Sequence, residues 1–167
     1  MIDDIDRSIL SLLQTNARTP NAEIARHVGL AASAVHDRIR KLEERGVLRG
    51  YFAAVSPEAV GLDLTAFIFV RSDEPVSRHE SADQLAALPE VQEVHHVAGE
   101  DCYLLKVRVR DTRHLGRLLR QKIGAIESVR STRTTIVLEV VKEEPRINVA
   151  QEAIEPADKA EEGREAL

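Results

Sequence analysis

Cysteine occurs once in the 167 residues, as Cys102. That excludes an internal disulfide framework and any four-cysteine metal site, and it fits a reducing compartment. Tryptophan is absent, and the aromatics are only Tyr51, Phe52, Phe67, Phe69 and Tyr103, so any core must be aliphatic. No apolar run approaches the roughly 20 residues of a membrane span. Met1 leads straight into Ile2-Asp3-Asp4, unlike a basic, apolar leader. The expected location is the cytoplasm, with no membrane partner. At 43% hydrophobic residues the chain has enough apolar material for one or two small domains.

Positive charge is also in deficit, with a net charge of −5. The deficit is not evenly spread. Residues 1–50 carry 8 basic and 7 acidic side chains and residues 51–142 carry 12 and 13, whereas residues 143–167 carry 3 and 8. The folded part is therefore neutral. Global charge argues neither for nor against a polyanionic partner, because the phosphate interaction depends on where Lys and Arg are placed.

The stretch 21–46 organises the rest. Val35, Ile39 and Leu42 recur at helical spacing over 32–45, which puts one apolar stripe inward. Ser33, Asp37, Arg40 and Glu44 project to the opposite side, flanked by His36 and Lys41. The preceding pattern of Ala22, Ile24, Ala25 and Val28 can pack across it through a tight corner at Gly29, where a positive φ is permitted. A helix, a glycine-containing turn and a second amphipathic helix read as a helix-turn-helix. Upstream, Ile5, Ile9, Leu12 and Leu13, with Leu10 beside them, predict a first helix from about 3 to 16. Asp3, Asp4 and Asp6 suit the positive end of its dipole. Thr19-Pro20 reads as the cap and first position of the second helix. Residues 47–55 read as two short strands turning at Gly50, a wing or connecting ribbon. The expected first domain is 1–55, with a linker over 56–63 punctuated by Ser56-Pro57 and Gly61.

From Leu64 the period changes. A strand over 64–70, a helix over 77–88 with Ala82, Leu85 and Leu88 inward, strands over 91–98 and 102–110 around Gly99, a helix opened by Asp111 with Leu115, Leu118, Leu119 and Ile123 inward, and a long strand over 129–141 follow in order. This β-α-β-β-α-β succession predicts an α+β, ferredoxin-like domain over 64–142: a four-stranded antiparallel sheet with both helices on one face. Strands one and four are apolar on both sides: Ala66, Ile68 and Val70 against Phe67 and Phe69; Ile136, Leu138 and Val140 against Val137 and Val141. A two-layer monomer would expose one set to water, so at least a dimer is expected. Residues 143–167, with Pro145, Pro156 and many Glu, read as an acidic, disordered tail.

Taken in order and spacing, several matches resemble the leucine-responsive/asparagine-regulator (Lrp/AsnC) family of transcription factors. They are Ile2-Asp3-x-x-Asp6-x-x-Ile9-Leu10, Glu23-Ile24-Ala25, Val28-Gly29-Leu30, Ser33-x-Val35-x-x-Arg38-Ile39-x-x-Leu42-Glu43-x-x-Gly46-Val47 and Gly50-Tyr51. In the second domain come Val94, Gly99-Glu100-Asp101, Tyr103-x-x-Lys106-Val107 and Thr132-x-Thr134-x-Ile136-Val137-Leu138. The resemblance spans about 1–142. It implies a winged helix-turn-helix joined to a ligand-sensing RAM domain, dimers that often build octamers, and a small molecule, usually an amino acid, bound between dimers. Two departures stand out. Ala31 replaces the serine that commonly caps the recognition helix, and the loop after Gly99 reads Glu100-Asp101-Cys102 where the family often has Tyr and Asp.

For double-stranded DNA, Ser33, His36, Asp37 and Arg40 are the candidates for base edges. Arg40 suits guanine O6 and N7, and Asp37 suits cytosine N4. Lys41 and Arg49 are expected on phosphates. Arg38 lies beside the core stripe and serves either a structural ion pair with a helix-one aspartate or a phosphate contact. Arg113, Arg117, Arg120 and Lys122 form either a solvated helix face or a second DNA track. For an amino-acid effector, Glu100 and Asp101 on the turn from Gly99 can take the ammonium, and that turn's N–H groups with Thr132, Thr134 or Thr135 can take the carboxylate.

No cofactor is expected, and no metal: His95 and His96 point to opposite faces of a strand and cannot join Asp101 and Cys102 around one ion without distortion. The two-domain architecture also resembles the siroheme decarboxylases. Against an enzyme stand a polar, base-competent recognition helix and the lack of a recognisable nucleophile-base-orienter set. The expected function is an effector-responsive regulator acting through oligomer rearrangement, with an architectural DNA organiser as the alternative.

Overall fold

The computed structural model describes residues 2–74 and 80–149. Helix α1, Asp4–Thr15, starts at Asp3, whose carboxylate accepts the Asp6 N–H at 2.7 Å while the Asp6 carboxylate accepts the Asp3 N–H at 3.3 Å. This reciprocal cap satisfies two donors that the helix itself leaves orphaned. Helix α2, Asn21–Val28, begins one residue later than the sequence suggests. Pro20 occupies its cap position in extended geometry, so Thr19 sits too far back to cap it. The Thr19 hydroxyl instead donates to the Asn16 carbonyl at 2.7 Å. At Gly29 (φ 70°, ψ 32°) the chain turns left-handed and Leu30 N–H closes on Ala25 O at 3.0 Å. Helix α3, Ala32–Glu44, follows at once. Ile9, Leu13, Ile24, Ala25, Val35 and Ile39 form the shared core, with Ile5, Leu12, Val28, Leu30 and Leu48 packed against it. Full burial of each large aliphatic among them contributes on the order of 1.5–3 kcal/mol.

The expected two-stranded wing does not form. Residues 49–55 carry no strand pairing, and Tyr51, Phe52 and Val55 are exposed. Arms of a few residues on either side of one glycine make too few cross-strand contacts to hold a hairpin within a single chain.

The second unit carries strands β1 (Leu64–Ser72), β2 (Val91–His96), β3 (Tyr103–Val109) and β4 (Val129–Ile136) in the antiparallel order β2-β3-β1-β4. Helix α4 is described over Glu80–Ala86; the expected start near 77 lies outside the described residues. Ala66, Ile68, Val70, Leu105, Val107 and Val109 face Leu85, Leu115, Leu118, Ile123 and Ile126 in one core. Helix α5, Thr112–Arg117, is capped by Asp111, whose carboxylate accepts the His114 N–H at 2.6 Å. It widens into a π turn over Leu118–Lys122 before a short 3-10 turn. That widening brings Leu118 and Ile123, five residues apart, onto the same buried face.

β4 is shorter than expected. Its last ladder bond is Val137 N–H to Thr65 O at 2.9 Å, and β1 begins only one residue earlier, so residues 138–141 have no strand to pair with and Leu138 and Val141 are exposed. The helix-free sheet face is also less apolar than expected. Phe67 and Phe69 lie there half-buried, but opposite them in register stand Lys106 and Leu104 on one side and Thr135 and Arg133 on the other. Lys106 and Arg108 both pair with Glu143, and Lys106 also reaches Glu93 at 3.4 Å.

Residues 2–53 and 144–149 belong to one compact unit and residues 54–143 to the other. The first residues of the expected disordered tail are therefore ordered: Gln14 holds the Ile147 backbone and Arg7 the Val149 carbonyl. Residues 150–167 lie outside the described residues.

Candidate functional site

Helix α3 buries Val35, Ile39 and Leu42 and leaves Ser33, His36, Asp37, Arg40 and Lys41 exposed, with Arg49 exposed just beyond it. Its first turn has no side-chain cap: Ala31 has the extended geometry of a capping residue (φ −73°, ψ 148°) without an oxygen to offer. The first N–H groups therefore stay free to meet solvent or an anion. Arg40 is held along the helix by Glu44 at 2.8 Å and lies 3.8 Å from Asp37. Exposed pairs of this kind are worth about 0.3–0.5 kcal/mol, so the guanidinium is easily released to another acceptor.

Arg38 faces the other way. Its Nη1 donates to Asp3 at 2.8 Å and Asp6 at 2.7 Å, and of the two roles open to it in the sequence the structure shows the ion pair. The Asp6 N–H and then the Arg38 guanidinium hold the Asp3 carboxyl below its usual value. Tyr51 donates to Glu43 at 3.0 Å. Burial, followed by that carboxylate, pushes its phenol up to about 12.

In the second unit the turn from Gly99 (φ 138°) joins β2 to β3, anchored by Val97 N–H to Cys102 O at 3.0 Å and Cys102 N–H to Val70 O at 2.9 Å. Gly99 and Glu100 are exposed and Asp101 is partly covered. Asp101 accepts from Arg133 Nη2 at 2.8 Å, and the Arg133 guanidinium carbon stands 4.0 Å over the Phe69 ring. The three candidate threonines do not converge. Thr132 and Thr134 pair with Val70 and Ile68 on the helix-covered face, whereas Thr135 pairs with Phe67 on the other. Arg133 is the residue that sequence reasoning overlooked. The only available signal was a cation between two threonines on an alternating strand. His95 pairs with Glu93 at 2.9 Å, while the His96 ring lies 5.4 Å from that of Tyr103. Of the cationic series near α5, Lys122 pairs with Glu90 at 2.6 Å.

A helix-turn-helix unit with a polar recognition face, joined to a separate ferredoxin-like unit, defines a two-domain transcriptional regulator. Residues 2–43 match the model of the AsnC-type helix-turn-helix domain, and residues 65–147 match that of the Lrp/AsnC ligand binding domain. The chain is 42% identical over 137 residues to the transcriptional regulator LrpA of Mycobacterium tuberculosis, covering 82% of this chain and 90% of that one. It is 37% identical over 149 residues to the regulator FL11 of Pyrococcus furiosus, covering 89% and 97%. Among solved structures, a feast or famine regulatory protein from M. tuberculosis complexed with L-methionine superposes with a TM-score of 0.81 at 39% identity, covering 88% and 99%. E. coli AsnC superposes with a TM-score of 0.79 at 33% identity, covering 86% and 96%. The chain belongs to the Lrp/AsnC family of transcriptional regulators. Its relatives are named as transcriptional regulators. No helix among the described residues is long and apolar enough to cross a membrane.

Proposed function

We propose that this protein is a cytoplasmic, sequence-specific regulator whose α3 reads the major groove and whose second unit senses an amino acid through a change in oligomeric state. The observation that carries the reading is the division of α3 into a buried aliphatic stripe and an exposed face of Ser33, His36, Asp37, Arg40 and Lys41. Arg40 grips guanine, Asp37 accepts from cytosine, and Ser33 and His36 reach neighbouring edges, while Lys41 and Arg49 meet phosphates. The effector's ammonium meets Asp101 and Glu100. Its carboxylate meets the N–H groups of the Gly99 turn and a nearby threonine hydroxyl. The L-methionine bound to a relative of 39% identity supports an amino acid as the effector class.

Phe67 and Phe69 on the helix-free sheet face, and Tyr51, Phe52 and Val55 in the unpaired connecting segment, supply apolar surface for association with further copies. The effector acts by binding two association states unequally, which changes the spacing between helix-turn-helix pairs. Light scattering with and without each of the twenty amino acids, alongside anisotropy on duplexes from the protein's own promoter, tests the reading. A ligand-dependent mass and a promoter preference are expected. A monomer at all concentrations that ignores those duplexes overturns it.

A further inference from the structure

The sheet-bearing unit is charged unevenly. Residues 110–122 hold Arg110, Arg113, Arg117, Arg120 and Lys122 against the single carboxylate of Asp111, while the rest of 51–142 carries 7 basic and 12 acidic side chains. The recognition helix is far less positive. Residues 32–45 carry 4 basic and 3 acidic side chains, and the whole of 1–50 carries 8 and 7. Cations on phosphates supply nearly all sequence-independent affinity for DNA, so a reading unit this close to neutral supplies only part of it.

Most cations of the second unit are already engaged. Lys106, Arg108, Lys122, Arg130 and Arg133 each hold a carboxylate. Arg110, Arg113, Arg117 and Arg120 form no ion pair among the described residues. Asp111 is occupied as the cap of α5, accepting the His114 N–H at 2.6 Å, and Arg117 and Arg110 meet its charge only through space. Arg113 and Arg117, four apart, share one side of α5. Arg120 stands on the π turn beyond, but its side chain leans back over Gly116, where a Cβ would lie 3.3 Å from Nη1. Glycine leaves the room for it, and three guanidiniums gather on one side of the helix. Like charges at this spacing repel, a cost that an anion from outside removes. The planar guanidinium fork suits a phosphate.

We infer that residues 110–122 form a second, sequence-independent DNA contact in which Arg113, Arg117 and Arg120 meet backbone phosphates. This rests on the protein being a DNA-binding regulator. The contact adds affinity for any duplex and leaves the preference among sequences to α3.

The test compares the full chain with Arg113→Gln/Arg117→Gln and with a charge-matched control, Arg71→Gln/Lys142→Gln, at exposed positions outside the stretch. Circular dichroism confirms that each is folded, light scattering gives its mass, and anisotropy on a random duplex of several helical turns is read across a salt series. Losing two phosphate contacts is expected to make the slope of log affinity against log salt shallower by about 1.8, so the variant's deficit shrinks by about tenfold between about 50 and 200 mM salt. The control is expected to keep the parent's slope, and the variant the parent's mass and its preference for promoter over random duplex. An unchanged slope, or an equal change in the control, overturns the inference. So does a change of mass, which would make the stretch a contact with the acidic remainder of a second copy. In each case a parent that still prefers its promoter leaves the DNA-binding reading intact. A parent that binds no duplex overturns both.

Discussion

Arg38 and Asp6, 32 positions apart, meet at 2.7 Å and join the recognition helix to the first turn of α1. Asp6 is buried and already bound into the α1 cap, so removing its cation strands a carboxylate in a covered place. Arg38→Ala is expected to cost about 1–3 kcal/mol of stability, read as a lowered urea midpoint. It should also weaken binding to every duplex alike, by loosening the placement of α3 rather than by losing a base contact.

Ala31 has a capping residue's backbone and lacks its oxygen. Ala31→Ser is expected to stabilise the protein by about 0.5–2 kcal/mol. Thermal unfolding that leaves the midpoint unchanged or lowered would show that the free N–H groups of α3 are already satisfied.

Arg40 and Lys41 adjoin on the exposed face but differ in what they can recognise. Arg40→Ala is expected to lose about 1–3 kcal/mol on an operator and much less on random DNA. Lys41→Ala should weaken both equally and flatten the salt dependence by about one phosphate contact. Equal losses for Arg40→Ala on the two duplexes would remove it from base recognition.

The Arg133 guanidinium is fastened between Phe69 and Asp101, and in the proposed reading this braces the carboxylate that meets an effector's ammonium. Asp101→Ala is expected to weaken amino-acid binding by at least tenfold, the loss of a charge-assisted hydrogen bond of about 1.5–3 kcal/mol. Arg133→Ala should weaken it less, since the carboxylate survives without its brace. Calorimetry on the folded variants separates the two, and unchanged affinity in Asp101→Ala places the ligand elsewhere.

Several carboxylates ionise below their ordinary values of 3.8 for Asp and 4.5 for Glu. The hydrogen bond from the Asp6 N–H does this for Asp3 and that from His114 N–H for Asp111. His95 does so for Glu93 and Lys106 for Glu143. Burial works against the charge on Glu90, but Lys122 and His114 outweigh it. A group whose folded pKa is depressed stabilises the fold above its unfolded value, and that contribution disappears as pH falls through the folded one. Stability is therefore expected to hold near neutrality and to decline as pH drops below about 4.5. Lys106→Met should flatten the decline, because Glu93 and Glu143 then titrate nearer their ordinary values. Urea midpoints measured across this range check both.

What the residues determined by themselves is whatever depends on neighbours a few positions away. The apolar spacing of Ile9 and Leu13, of Val35, Ile39 and Leu42, and of Ala66, Ile68 and Val70 dictates which face of each element turns inward, since that follows from the local period of helix or strand. Gly29 and Asp111 mark ends for equally local reasons of backbone angle and side-chain reach. The exposed face of α3 was legible in the same way. Tertiary structure decided everything that depends on which distant atom lies within hydrogen-bond reach. It committed Arg38 to Asp3 and Asp6, set Arg133 over Phe69 and against Asp101, and separated Thr135 from Thr132 and Thr134 across a sheet. It also ended β4 where β1 runs out of partners and bound residues 147 and 149 to α1. A carboxylate, guanidinium or carboxamide has the same local propensity whichever partner it finds, so none of these pairings leaves a periodic trace in the sequence.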